Sequence, residues 1–397
     1  MSQEAWILEG ARTPMCRYVG HFAGVSAIEL GAVASKGALE RSGVDPSHID
    51  HVIFGNAQQT SPDAIYGARH VGLKAGVREE TPALTVNRLC GSGIQSILAA
   101  TQLLQLGEAD VVLAGGMENM SQAPHVIYGA RKGFPLGGGK MQDSLMLALL
   151  DPYCGCTMSQ TSDNLSNRFE ISREEQDEYA VGSQQRAAAA QERGVFGEEI
   201  VPVEVKARKG MHLVELDDHL RPETTLEDLA KLRPAFGPES YVTAGNASGI
   251  VDGAAAVVVA GSEWAKERGK KPLGKVVSWG VVGVEPSYMG IGPVPATKLA
   301  LERAGWALED VDLIEVNEAF AGQYLAVERE LGLDRERTNV NGGAIALGHP
   351  LGATGTRLVY TLLKELTRRG GGRGLATACI GGGQGIAMCV EAGGDGA

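Results

Sequence analysis

One stretch of this chain occurs twice. Ala38-Leu39-Glu40-Arg41-Ser42-Gly43, running on to Asp50, aligns without a gap on Ala300-Leu301-Glu302-Arg303-Ala304-Gly305, running on to Asp312. The apolar strands that follow, Val52-Ile53-Phe54 and Ile314-Glu315-Val316, fall in register. Repeated units bury equivalent faces, so the chain is constrained to two similar halves. Its length of 397 residues agrees, being more than one core usually supports. The same offset carries the turn at Cys90 close to Gly348-His349-Pro350, and the strand end at Gly115-Gly116 close to Cys379-Ile380-Gly381-Gly382. Loops at matching strand ends face a common crevice, which is where open α/β sheets bind ligands. A pseudo-twofold between the halves brings Cys90, Asn317, His349 and Cys379 into one neighbourhood.

Strand and helix patterns alternate in the first half. Strands are expected at 5–8, 52–54, 84–86 and 109–114 and helices at 26–41 and 64–75, with a further helix after Cys90 whose buried face is Ile94, Ile97, Leu98 and Leu104. The alternation predicts βα units on a largely parallel sheet. Gly43 stops the first helix, and Gly115-Gly116 ends the fourth strand. From 120 to 244 the pattern breaks into a glycine-rich loop (Gly137-Gly138-Gly139), a charge-dense helix over 172–193 and a polar stretch with Lys206, Arg208 and Lys209. It resumes over 246–260 with a turn, a helix start and an apolar strand. The expected division is therefore 1–119 with 245–270 for the first half, 120–244 for an inserted loop domain, and 271–397 for the second half.

Fifty-five glycines without a collagen-like period, and only 5% aromatics, suit a close-packed α/β enzyme with many tight turns. A net charge of −12 excludes a general nucleic-acid or membrane-surface binder, so a polyanionic ligand has to meet a local basic patch. Six cysteines in a long chain with no secretory leader point to a reducing compartment rather than a disulfide framework, and the cytoplasm is the expected location. No apolar run reaches the ~18 residues of a membrane span. Cys154 and Cys156 raise the question of a metal, but no second pair or nearby histidine completes a tetrahedral set, and no metal site is expected.

Cys90 lies in Asn87-Arg88-Leu89-Cys90-Gly91-Ser92-Gly93, where an apolar strand turns into a helix. Gly91 and Gly93 permit a tight bend and the close approach of another group. At a helix start, unpaired amides and the dipole lower a thiol pKa below its free value of ~8.5; equally, a cysteine there is a small buried residue at a turn. A nucleophilic thiol needs a base or cation within reach. His349, in the glycine-dense loop 341–350 with Pro350 at the first position of a helix, is the candidate. Cys379 ends a strand and precedes Gly381-Gly382-Gly383, whose amides can point into a site. A phosphate-cradling turn at 381–385 is the competing reading, although the dinucleotide fingerprint is incomplete. Cys389 reads as a buried strand residue. Asn317, after the strand 313–316, is either a helix cap or an amide that holds a water or a developing oxyanion.

Taken together, these motifs resemble the thiolases, acyl-CoA:acetyl-CoA acyltransferases, and among them the chain is similar to the bacterial and mitochondrial-type 3-ketoacyl-CoA thiolases. The likeness runs through Glu9–Pro14, Asn87–Gly93, Gly115–Ser121, Val242–Gly249, Asn317–Phe320, Asn341–Pro350 and Cys379–Gly385. It implies a thiolase fold: two duplicated βαβαβαββ-type halves in a layered α-β-α-β-α sandwich, with an inserted loop domain. It also implies that Cys90 is the acyl-carrying nucleophile, activated by His349, and that Cys379 is the second acid and base. One oxyanion hole is implied at His349 and a water held by Asn317, and another at the amides of Cys90 and Gly381. Coenzyme A is the implied co-substrate, with no tightly bound cofactor. Arg221, Thr224 and Ser248 are implied to contact it, and Met158 and Phe320 to line its pantetheine tunnel.

The resemblance further implies a homo-oligomer, dimer or tetramer, and a place in fatty-acid β-oxidation. One departure stands out: Cys156-Thr157-Met158-Ser159 replaces the pattern of many relatives, and Thr157 stands where short-chain enzymes often carry histidine. A short-chain biosynthetic acetoacetyl-CoA thiolase is therefore the alternative reading. A decarboxylating condensing enzyme of the same superfold would pair its cysteine with two histidines, whereas Cys379 fills the second position here. An inactive acyl-CoA-binding protein would not need Cys90, Asn317, His349 and Cys379 together.

Overall fold

The computed structural model describes residues 3–207 and 210–393. Its frame is built from strands β1 (Ala5–Arg12), β2 (His51–Gly55), β3 (Ala83–Val86), β4 (Val111–Glu118), β5 (Val251–Gly261), β6 (Gly274–Gly283), β7 (Leu313–Val316), β8 (Gly372–Ile380) and β9 (Gln384–Ala392). They form one hydrogen-bonded path in the order β7-β8-β9-β6-β1-β5-β4-β2-β3, and the short strand Cys16–Arg17 pairs with β5.

The duplication is visible in this order. β1 and β6, the first strands of the two halves, pair antiparallel with each other only at Ala5–Val276, Trp6–Lys275 and Ile7–Gly274, so the pseudo-twofold passes between them. Moving outward, each half repeats the same neighbours: an antiparallel strand (β5 or β9), then another antiparallel one (β4 or β8), then a parallel one (β2 or β7). The halves diverge at the edge. β3 pairs with β2 from Val52–Ala83 to Gly55–Val86, whereas its counterpart shrinks to a bridge between Ile314 and Thr338.

Strand alternation sorts the side chains into layers. Along β1, Trp6 and Leu8 face an outer core with helices α1 (Ala27–Ser42) and α2 (Gly67–Lys74), while Ala5 and Ile7 face an inner one. The inner core joins both halves through α3 (Ser92–Leu106) and α8 (Leu351–Arg368), whose Ile94, Ile97, Leu358 and Leu362 meet Ile53 and Val112 on one side and Ile386 and Met388 on the other. The second outer core holds α6 (Pro293–Ala304) and α7 (Ala321–Leu331) against Leu375, Ala387 and Cys389. Helix, sheet, helix, sheet and helix are thereby stacked. Between β4 and β5 come α4 (Met158–Arg168), α5 (Arg173–Glu192) and several short hairpins. Arg12 anchors this segment from β1, with Nε donating to Glu199 at 2.7 Å and its two terminal nitrogens to Asp217 at 2.8 and 2.9 Å.

The sheet is not largely parallel as expected: along its main path only β2–β3, β2–β4 and β7–β8 pair parallel, and the other neighbours are antiparallel. Three local expectations are also corrected. β4 does not stop at Gly115-Gly116 but runs on to Glu118, because those glycines admit close neighbours: a Cβ on Gly116 would lie 1.8 Å from the Gly352 carbonyl oxygen. The helix expected over 64–75 is a 3-10 turn, Ala64–Tyr66, followed by α2, whose start is held by Thr85 Oγ1 accepting from the Ala68 N–H at 2.9 Å. The segment 246–260 contains no helix start; it leads straight into β5. Of the polar stretch, Lys206 is exposed on the strand Val203–Ala207, and Arg208 and Lys209 lie outside the described residues.

Candidate active site

Cys90 occupies a single 3-10 turn, Leu89–Gly91, between β3 and α3. The bend is made at Leu89, at φ 45, and not at the glycines, since Gly91 sits at φ −87. A leucine pays about 1–3 kcal/mol for the left-handed region, so neighbours must enforce it. Asn87 Oδ1 accepts from the Leu89 N–H at 2.9 Å, and Arg88 spans from Gln95 Oε1 at 2.8 Å to Gln384 Oε1 at 2.9 Å. The glycines serve close approach instead. A Cβ on Gly93 would be 2.3 Å from Thr356 N, and one on Gly355 would be 2.4 Å from Ile94 N. Backbones of α3 and α8 touch at this crossing, which sets the start of α8, and His349 before it, next to the cysteine turn.

His349 is buried, and its two ring nitrogens have distinct partners. Nδ1 lies 2.6 Å from Thr354 Oγ1, and that hydroxyl already donates its proton to the Pro350 carbonyl at 3.1 Å. Nδ1 must therefore carry the hydrogen, which leaves Nε2 as a bare acceptor. Asn317 Nδ2 faces Nε2 at 3.3 Å, and Asn317 Oδ1 is a buried acceptor with no protein donor. Burial, and secondarily the Arg357 charge, push the His349 pKa down to about 3, so the ring is neutral. Pro350 is the residue before α8 rather than its first, within the usual one-residue uncertainty of helix ends.

Cys90 is half-buried and lines a small cavity of about 190 Å³ with Leu89, Leu149, Leu150, Met158, Leu351 and Gly381. The expected thiolate is overturned: burial pushes the thiol up to about 11, outweighing the amides of Gly381 and Cys90 itself, which favour the anion. Dehydration beats the helix dipole because the dipole contributes only ~0.3–1 kcal/mol unless the geometry is unusually favourable. The resting pair is thus a neutral thiol and a neutral imidazole. Among the described residues the side-chain partners of His349 are Asn317 and Thr354, not Cys90. Such contacts often tighten only when substrate is bound.

Cys379, at the end of β8, is fully buried with Met289, Ala319, Met158 and Phe320. Burial first, and then the nearby Cys90 sulfur, raise its pKa well above the ordinary thiol value. The Gly381 amide serves Cys90, Gly381 and Gly382 line its cavity, and Cys389 is a buried strand residue. Neither Asn317 nor Glu318 caps a helix; α7 begins later, with Phe320 as its N-cap residue.

A second cavity, about 880 Å³, opens to solvent and is lined by Arg221, Thr224 and Ser248 together with Arg17, His219 and Phe236. Met158 and Phe320 do not line it: Met158 lines the Cys90 cavity, and Phe320 pairs with Ala247 of the cleft wall. The Ser248 N–H donates to the Ala319 carbonyl at 3.0 Å, and the Gly249 carbonyl accepts the His349 N–H at 2.9 Å. The wide cleft therefore abuts Ala319, which packs with Cys379, and the backbone of His349. Among the described residues its arginines are Arg17, on the short strand Cys16–Arg17, and Arg221, in the insertion.

Two residues escaped sequence reasoning. Thr354 fixes the His349 tautomer, and only its position one helical turn after Pro350 hinted at it. Glu118 is buried at the end of β4 and accepts from Asn56 Nδ2 at 2.9 Å, from the amides of Ala57 and Gln58 at 3.0 Å, and from the Gly352 amide at 2.8 Å. It clamps the start of α8 from the other half, and burial pushes its pKa up to about 7.

Comparison with known proteins places this geometry. Residues 5–263 match the family described as "Thiolase, N-terminal domain", and residues 270–392 match "Thiolase, C-terminal domain". The chain is 52% identical over 377 residues, 95% of each sequence, to the human mitochondrial 3-ketoacyl-CoA thiolase. It is 47% identical over 379 residues to the acetyl-CoA acetyltransferase of Paracoccus denitrificans, covering 95% of this chain and 96% of that one. The crystal structure of human mitochondrial 3-ketoacyl-CoA thiolase in complex with CoA superposes with a TM-score of 0.96 at 50% identity, over 98% of both chains. With both halves matched, and the fold and the sequence agreeing over nearly the whole length, this chain belongs to the thiolase family.

Proposed function

We propose that the chain is an acyltransferase that cleaves 3-ketoacyl-CoA with coenzyme A, reversibly, through an acyl-enzyme on Cys90. The observation that carries this reading is the approach of two thiols from opposite halves: Cys379 is near enough to Cys90 for the Cys90 charge to raise its pKa, and Met158 both lines the Cys90 cavity and packs on Cys379, while the second half also supplies a neutral histidine with a bare Nε2. His349 takes the Cys90 proton as the sulfur attacks C3 of the substrate. The imidazolium and a water held at Asn317 Oδ1 stabilise the enolate oxygen as the C2–C3 bond breaks, and Cys379 protonates the enolate carbon to release acetyl-CoA. In the second half, Cys379 takes the proton of incoming coenzyme A, whose sulfur attacks the acyl carbonyl in the amide hole of Cys90 and Gly381. Cys90 leaves and recovers its proton from His349. High pKa values suit this sequence, because both thiols must hold protons between steps.

Coenzyme A is read into the 880 Å³ cleft. Arg221 and Arg17 meet its phosphates, Thr224 and Ser248 its polar groups, and Met158 and Phe320 its thin inner end. The apolar lining around Cys90, with Leu149, Leu150, Pro152 and Leu351, favours chains longer than acetyl and hence the degradative direction of fatty-acid β-oxidation over the short-chain biosynthetic alternative. The working units are 1–119 with 245–270, the loop domain 120–244, and 271–397. Six unbridged cysteines support a reducing location such as the cytoplasm. A homo-oligomer, dimer or tetramer, is supported by the sheet edge at β3, where Leu84 is 48% exposed next to Leu106 at 71%, and by the exposed Tyr128, Phe134 and Leu136 of the insertion. The test is consumption of a 3-ketoacyl-CoA series with and without free coenzyme A. Consumption only with coenzyme A supports thiolysis, and equal consumption without it points to a hydrolase.

A further inference from the structure

Cys154 and Cys156 play no part in the reaction above, and the structure sets them in an unusual place. They flank Gly155 at the tip of a tight hairpin whose arms, Leu150–Asp151 and Cys156–Thr157, pair at Leu150–Thr157 and Asp151–Cys156. Gly155 is left-handed, at φ 73, with open space around its Cα, and its N–H returns to the Asp151 carbonyl at 2.9 Å. Cys156 Sγ already turns back on the chain, 3.7 Å from the Cys154 carbonyl oxygen. Both cysteines are partly exposed and free. Residues two apart span at most ~7 Å even when fully extended. A bent Cys-Gly-Cys turn therefore brings its Cα atoms within the 4.4–6.8 Å that a disulfide accepts, about the one requirement that distant pairs usually fail.

The hairpin is also a wall of the active site. Leu150, Asp151 and Pro152 on its first arm line the Cys90 cavity. On the second arm Thr157 caps α4, its hydroxyl accepting from the Gln160 N–H, and the next residue, Met158, lines the same cavity and packs on Cys379. A displacement of Cys156 is therefore passed to Asp151 across the hairpin and to Met158 along the chain.

We propose that Cys154 and Cys156 form a reversible redox site, a Cys-Gly-Cys disulfide whose closure reshapes the acyl end of the active-site cavity. The oxidant is a peroxide. The Cys156 sulfur displaces one oxygen of hydrogen peroxide, giving a sulfenic acid and water; the Cys154 sulfur then attacks it, the S–S bond forms, the S–O bond breaks and a second water leaves. Two thiols lose two electrons and two protons, and peroxide is reduced to water. So small a ring is strained, and strained, exposed disulfides are the easily reduced, regulatory ones. Reduction by a dithiol restores the open hairpin.

The effect on chain length rests on the thiolase reading, whereas formation of the bond does not, so the two are measured separately. The full-length protein and Cys154→Ser/Cys156→Ser are titrated with hydrogen peroxide and digested without reduction. The expected result is a loss of about 2 Da on the peptide holding both cysteines, reversed by dithiothreitol. A peptide that stays reduced, or goes only to sulfinic acid, overturns the proposal. Kinetics then compare kcat/KM for a long and a short 3-ketoacyl-CoA as a ratio, which is insensitive to enzyme lost by oxidation of Cys90. The ratio is expected to shift roughly threefold or more in the oxidised wild type and to stay constant in the double variant. An equal shift in both, or in neither, removes the link to the acyl site even where the disulfide forms.

Discussion

At the scale of the residue, the site is a neutral thiol–imidazole pair. Deprotonation of Cys90 waits until about 11, and protonation of His349 until about 3, because burial penalises both charged forms. Between those limits the reactive protonation state does not change. kcat/KM for the acylation half-reaction is thus expected to be flat from about pH 6 to pH 9, and a tenfold rise per pH unit across that window would mean that a free thiolate, not a neutral pair, is the reactant. Thr354 provides a second check. Replacing it with valine removes the acceptor of Nδ1–H and lets the proton sit on Nε2, so the rate of Cys90 acylation should fall about a hundredfold, while Thr354→Ser keeps most of it. Equal rates in Thr354→Val and wild type would show that the hydroxyl does not set the tautomer. Cys379→Ser separates the two half-reactions by degree: acylation of Cys90 from a ready-made acyl-CoA, which expels a stabilised thiolate, should be retained more readily than overall thiolysis, which must also protonate a carbanion.

At the scale of the element, the crossing of α3 and α8 holds the two halves of the site together. A methyl group at Gly93 would sit 2.3 Å from the Thr356 amide, backbone against backbone with nothing able to yield cheaply. Gly93→Ala is expected to cost about 1–3 kcal/mol in chemical denaturation and to lower activity with it. Gly182 in α5 has nothing within 4 Å of its added Cβ, and Gly182→Ala should instead gain about 0.5–1 kcal/mol. Similar effects at the two positions would contradict the packing argument. This contrast also marks what the sequence could and could not reveal. The repeat at 38–50 and 300–312, the capped helix α1, and the nearness of Cys90 to Cys379 and of Asn317 to His349 were legible, since each rests on local pattern or on the offset between copies. Left-handed Leu89, the extension of β4 through two glycines and the split at Ala64–Tyr66 were not, because each is imposed by a neighbour distant in sequence. The thiol pKa failed for a related reason: the dipole is written in the local sequence, whereas the burial that overrides it comes from β8, α4 and α8.

At the scale of the whole molecule, the pseudo-twofold between β1 and β6 lets the proposed mechanism draw on two unlike contributors: a nucleophile from one half, and a base, an amide and a second thiol from the other. Divergence at the sheet edges leaves β3 as the exposed strand of the first half, so Leu84→Arg is expected to shift the protein toward monomer in light scattering, and an unchanged mass would rule out that edge as the contact. What unites the three scales is acyl transfer through Cys90. The most direct measurement is intact-protein and peptide mass spectrometry after mixing with a 3-ketoacyl-CoA in the absence of free coenzyme A. The expected result is a shortened acyl group on the Cys90 peptide, discharged by adding coenzyme A and absent in Cys90→Ser. An unmodified Cys90 in protein that still turns over substrate, or an acyl group carried on another residue, would contradict it.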